Sequence, residues 1–128
     1  MTFRIRRFDE PDETTSFERG RVDLVKIAGI TLGRARYEPG WRWSEHVGAA
    51  KGERLCQVAH IGIVIAGRNL IQMQDGTEFE IKAGDIFEIG PGHDSLVIGD
   101  EPYESLHMAG VEEYAGSDDE TPDPGAGR

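Results

Sequence analysis

Five side chains in this sequence carry the donor types used in metal binding and nucleophilic catalysis: Cys56, the only cysteine, and His46, His60, His93 and His107. Neutral imidazole and thiolate are metal ligands, and the same groups serve as acid, base or nucleophile. His60 leads into the most apolar run of the chain, Ile61-Gly62-Ile63-Val64-Ile65-Ala66-Gly67. An unpaired imidazole is costly there, so its two ring nitrogens need partners. His93 follows the Pro91-Gly92 turn, and His46 borders the loop running from Gly48 to Glu53. Cys56 precedes His60 by four positions. In a straight strand that spacing separates the two Cα atoms by roughly 13 Å at ~3.3 Å per residue. Thiol and imidazole therefore meet only if the chain bends or bulges near Gln57-Val58, and otherwise Cys56 reads as a small buried hydrophobe. The same distance tells against a Cys56 nucleophile with His60 as its base. His107 alternates with Leu106 and Met108 and reads as outward-facing. The sequence contains no Gly-rich phosphate loop followed by Lys-Ser/Thr, no Gly-x-Ser-x-Gly elbow and no His-Glu-x-x-His helix.

The elements that must position these residues read as strands. Short runs rich in Val, Ile and Phe recur between Gly, Pro and Asp punctuation, and no stretch sustains a helical period. The pattern predicts strands over Val22–Ala28, Ile30–Tyr37, Trp41–Val47, Cys56–Ile65, Arg68–Gln74, Thr77–Lys82, Ile86–Ile89, Ser95–Ile98 and Tyr103–Met108. Asp75-Gly76 is the strongest hairpin signal, as a two-residue turn with positive φ at both central positions. If Trp41–Val47 is a strand, Trp41 and Trp43 face one side and Arg42, Ser44 and His46 the other. Either His46 or Glu45 then faces the interior. So many short strands in one domain imply an all-β sandwich or barrel, and nothing between them is helical enough to be a parallel crossover.

The chain has 128 residues, enough for one domain, and its 14 basic against 24 acidic residues give a net charge of −10. Residues 1–20 hold four basic and five acidic residues, residues 21–111 nine and thirteen, and residues 112–128 one and six. Half the excess therefore lies in the last 17 positions, which read as an acidic disordered tail beyond a barrel of residues 21–111. Residues 1–20 read as a lead-in or partner strand, with the alternation of Phe3 and Ile5 against Arg4 and Arg6 permitting a short strand. The charge and the lack of a basic cluster in the strands disfavour nucleic acid and anionic membrane as partners. The longest apolar run falls far short of the roughly 20 residues of a membrane span, and the N-terminus lacks a secretory apolar core. A lone cysteine forms no intrachain disulfide, which fits a reducing, cytoplasmic setting.

Three segments resemble the cupin superfamily: Glu38-Pro-Gly40-Trp-Arg-Trp-Ser-Glu-His46, His60-Ile-Gly-Ile-Val-Ile-Ala-Gly67-Arg, and Gly84-Asp-Ile-Phe-Glu-Ile-Gly-Pro-Gly-His93-Asp. The resemblance covers roughly Ile30 to Gly110 and implies a double-stranded β-helix, the cupin-type jelly-roll barrel. It also implies one divalent metal, held by two histidines and a glutamate from a first motif and a histidine from a second. Carried over position by position, Gly40 stands six residues before His46, the second histidine of that pair falls on Gly48, and the glutamate position is occupied by His60. His93 comes about two residues early in the second motif. The implied ligands are His46 (or Glu45), His60 and His93, with Cys56 joining them if the chain bends. Zn, Fe, Ni or Mn suits such a set, and a thiolate favours zinc. The resemblance further implies a small-molecule ligand or substrate, a homodimer, and either dioxygenase, isomerase or lyase chemistry or a non-enzymatic sensing role.

Overall fold

The computed structural model describes residues 2–111, which form two antiparallel sheets; the expected acidic tail lies outside the described residues. The first sheet has six strands in the order β1-β2-β3-β9-β4-β7. They are β1 (Glu13–Phe17), β2 (Gly20–Ile27), β3 (Ile30–Tyr37), β4 (His60–Ala66), β7 (Ile86–Ile89) and β9 (Tyr103–Ala109). The second sheet is β6-β5-β8, from β5 (Arg68–Met73), β6 (Glu78–Lys82) and β8 (His93–Ile98). This is the expected all-β jelly roll. The strands β3 and β7 run over the predicted spans, and most other strands differ by one or two residues at their ends.

Alternation places the core between the sheets. Val22 and Leu24 on β2, Ala35 and Tyr37 on β3, Val64 on β4, Ile71 on β5 and Val97 on β8 are all buried. An aromatic wall lines one side: Tyr37 stacks on Trp41 at a centroid distance of 3.7 Å and on Tyr103 at 5.9 Å.

Three expectations are corrected. The short strand that the alternation of Phe3 and Ile5 permits does not form there, where both side chains are exposed, and the segment's strand is β1, paired with β2. The β5–β6 hairpin forms, but of its two predicted turn residues only Gly76 has positive φ. Thr77 N–H donates to the Asp75 carboxylate at 2.9 Å. The turn is thus a longer one closed by a left-handed glycine.

The third correction governs the site. Trp41–Val47 is not a strand. Gly40 N–H donates to Val97 O, and Val97 N–H to Trp41 O, so the chain pairs briefly with β8. It then coils into the short turns α1 (Trp43–His46) and α2 (Gly48–Lys51). Asp94, on β8, holds this coil down. Its carboxylate accepts from Ser44 N–H at 2.9 Å, from Ser44 Oγ and from Arg42 Nη1, both at 2.8 Å. The coil lets both tryptophans bury, at 1% and 5% exposure, without forcing His46 to the opposite face. Replacing Asp94 by alanine leaves the half-buried Arg42 and the Ser44 N–H without their acceptor. The expected cost is about 2–3 kcal/mol, read as a lower urea midpoint with red-shifted tryptophan emission.

Candidate metal centre

Cys56 pairs with β8 rather than continuing β4. Its N–H donates to His93 O at 2.7 Å, and Gly92 N–H donates to its carbonyl at 2.7 Å. Residues 57–59 leave this bridge without strand geometry before β4 begins at His60. That bend overcomes the straight-strand separation: Cys56 Sγ lies 3.5 Å from His60 Nε2. His93 stands beside them, with its ring centroid 5.1 Å from that of His60. The donor atoms of Cys56, His60 and His93 all lie within 4.8 Å of one another.

The surroundings orient each donor. His93 Nδ1 lies 2.8 Å from Gly90 O, so that nitrogen donates and Nε2 is left as the free lone pair. His60 turns Nε2 to the thiol, and its Nδ1 edge packs against Gly110, where an added Cβ would come within 2.5 Å. Burial pushes the His60 imidazole down to about 3, with the His107 and His93 rings adding to the effect. Burial also lowers His93, against the opposing influence of Gly90 and Asp94. Both rings are therefore neutral near pH 7, the form that binds metal.

These residues suit a tetrahedral soft-metal site. Zn–S and Zn–N bonds of about 2.3 and 2.0 Å set the S···N edge of a tetrahedron near 3.5 Å, the separation found between Cys56 and His60. Three ligands leave one position open.

His46 does not join the cluster. Arg42 N–H donates to its Nδ1 at 2.9 Å, and its Nε2 is 3.9 Å from the Glu18 carboxylate. The cause is the coil just described: as part of α1, His46 folds back on its own first turn. Glu45, the alternative ligand, is exposed, as are Glu53 and Glu88.

His107, expected to face outward, faces inward. It shares strand parity with buried Tyr103 and Ser105, and it is flanked across the sheet by Gly33 on β3 and Gly62 on β4. A side chain at Gly62 would collide with Phe87 and the Leu106 carbonyl, so the neighbouring strand offers no side chain of its own beside His107. The His107 ring sits edge-on to His60 at 5.6 Å, Ser105 Oγ lies 2.9 Å from its Nε2, and burial pushes its pKa down to about 4. The readable signal was the run Tyr103-x-Ser105-x-His107, whose polar members face inward while Leu106 and Met108 face out.

His60, His93 and His107 line one cavity of about 40 Å³, together with Trp41, Trp43, Asn69 and Tyr103. By the rule that a water needs about 10–15 Å³ of such space, this is room for about three heavy atoms.

No family model and no curated protein matches the chain. Solved structures do. A cupin 2 conserved barrel domain protein from Salinispora arenicola is 19% identical with a TM-score of 0.58, over 84% of this chain and 87% of that one. The polyketide cyclase RemF from Streptomyces resistomycificus is 17% identical with a TM-score of 0.58, over 85% and 79%. An oxalate decarboxylase from Lactobacillus farciminis is 18% identical with a TM-score of 0.57 over 81% of this chain, which spans about a third (32%) of that protein. At such identities the likeness is one of fold.

Proposed function

We propose that this chain, which has the cupin jelly-roll fold, binds one divalent metal ion through Cys56, His60 and His93 and presents it to a small-molecule ligand. The observation that carries this reading is the convergence of one thiol and two neutral imidazoles within 4.8 Å, with both imidazoles lining a cavity. Zinc is the favoured ion because thiolate and imidazole are its preferred donors, with iron, nickel or manganese as the alternatives. A bound ion would act as a Lewis acid toward an oxygen ligand at its open position. The chain's own residues supply the rest. The Gly90 carbonyl fixes the His93 tautomer, and His107 holds a neutral ring beside His60.

Two catalytic outlines remain from the neighbours, decarboxylation and cyclisation, alongside a reading in which the protein only binds and reports. One observation favours the binding role: no carboxylate lines the cavity among the described residues, leaving His107, Tyr37 and Tyr103 as the titratable residues outside the candidate ligands. We further infer a homodimer, supported by the exposed Ile61, Ile65, Ile86 and Met108 on the outer face of β4, β7 and β9. A reducing cytoplasmic compartment agrees with a single thiol that forms no disulfide among the described residues, and no helix among them is long and apolar enough to cross a membrane.

Elemental analysis of protein purified without chelator tests the metal reading. About one equivalent per chain is expected, falling below about a tenth in His60→Ala and His93→Ala if each donor matters by the 10–100-fold typical of site residues. Full retention by both variants would move the site elsewhere.

A further inference from the structure

The cavity contains polar atoms that the metal ligands do not use. The indole Nε1 of Trp41 and of Trp43 and the side-chain oxygen of Asn69 are buried and have no hydrogen-bond partner in the protein among the described residues. All three residues are more than nine-tenths buried, at 1%, 5% and 3% exposure, and all three line the same cavity as His60 and His93. A buried N–H left without an acceptor costs about 1–3 kcal/mol. Two such donors among the residues lining one small cavity call for an acceptor there.

Both rings are firmly placed. Trp41 stacks on Tyr37, and the far edge of the Trp43 benzo ring lies so close to Gly48 that a side chain there would collide with it. Another part of the lining is also polar. Tyr103 hydrogen-bonds to Asn69 and Ser105, and Ser105 to His107, so a connected chain of groups runs toward His60.

Charge decides what kind of acceptor fits. A divalent ion held by one thiolate and two neutral imidazoles leaves one uncompensated positive charge in a buried site, and such a charge is costly. A monoanion at the open position removes it. The cavity admits about three heavy atoms, and two indole N–H groups suit the oxygens of a small planar acid.

We propose that the cavity is a subsite for a small monocarboxylate, of formate to acetate size. One oxygen would face the metal, and the carboxylate would accept hydrogen bonds from Trp41 and Trp43. This rests on the metal reading above, and the test separates the two.

The probe is the cobalt(II)-loaded full chain, whose visible spectrum reports a ligand added to the metal, titrated with sodium formate and sodium acetate against sodium chloride at equal ionic strength. A saturable spectral change is expected with the carboxylates and none with benzoate, which is too large for the cavity. Trp41→Phe and Trp43→Phe keep the ring and remove the N–H. Each is expected to weaken carboxylate binding at least tenfold with cobalt content unchanged. Failure to take up cobalt overturns the metal reading and this one with it. Cobalt uptake without a saturable carboxylate response overturns the subsite alone. So does chloride binding as tightly as acetate, or unchanged binding in both tryptophan variants, which would leave only water against the indoles.

Discussion

Metal-free protein is expected to lose about 4 kcal/mol of unfolding free energy on acidification from about pH 7.5 to about pH 5. The cause lies in two histidines buried as neutral rings, His60 with its pKa pushed to about 3 and His107 to about 4. Their folded-state values lie below the unfolded value of about 6.5, so between these limits the unfolded chain binds protons that the folded chain refuses. Stability is therefore intact above pH 6.5 and falls as pH drops toward the folded values. At pH 5 each ring accounts for about 2 kcal/mol, at about 1.36 kcal/mol per pKa unit. Burial lowers His93 as well and adds in the same direction. The carboxylates follow a separate window. Burial works against ionisation of Asp23, yet hydrogen bonds from Arg21, Thr14 and Arg34 outweigh it and hold its pKa below the ordinary value. Its contribution persists above about pH 4 and is lost only below that. Urea midpoints measured in chelator at half-unit pH steps check this. His107→Gln should remove about half of the effect above pH 5, and a midpoint flat from pH 7.5 to pH 5 would show that water reaches both rings.

Zinc is expected to raise the unfolding free energy by about 4 kcal/mol when free metal exceeds its Kd a thousandfold. For a chain of this size that corresponds to a rise in melting temperature of roughly 10–20 °C. The gain requires the complete donor set. Cys56→Ser keeps the volume of a buried side chain but exchanges thiolate for a hydroxyl, and His93→Ala removes the ring held by Gly90. Differential scanning fluorimetry with and without zinc should show each variant folded near the temperature of the metal-free wild type and largely unresponsive to the ion. An equal zinc response in Cys56→Ser would assign the thiol to packing.

Most of the barrel is legible in the sequence because strands of this kind announce themselves through alternation and glycine-bearing turns. The exceptions share a cause, namely that a tertiary partner overrode the local pattern. Trp41–Val47 alternates as a strand should, but Asp94, 50 residues away from Ser44, captures the Ser44 N–H and favours a coil. Counting the resemblance forward from Gly40 crosses that coil, which is why it leads to His46 and Gly48 and away from Cys56. His60 and His93 stand out by sequence context alone. Cys56 does not, because its place depends on a bridge to His93 that no local signal encodes. His107 misleads for a simpler reason. On β9 Leu106 and Met108 point outward while Ser105 and His107 line the interior, the reverse of the usual rule.

That reversal has a colloidal consequence. Ile61, Ile65, Ile86 and Met108 give the outer sheet an apolar face, with β7 as its open edge. At neutral pH a net charge of −10 keeps freely diffusing copies from meeting along it indiscriminately. Acidification that protonates carboxylates weakens this repulsion in the same range where the interior begins to admit protons. Turbidity and loss of the native state should therefore set in together, and the solubility limit of the protein on the acid side reports on the imidazoles inside its barrel.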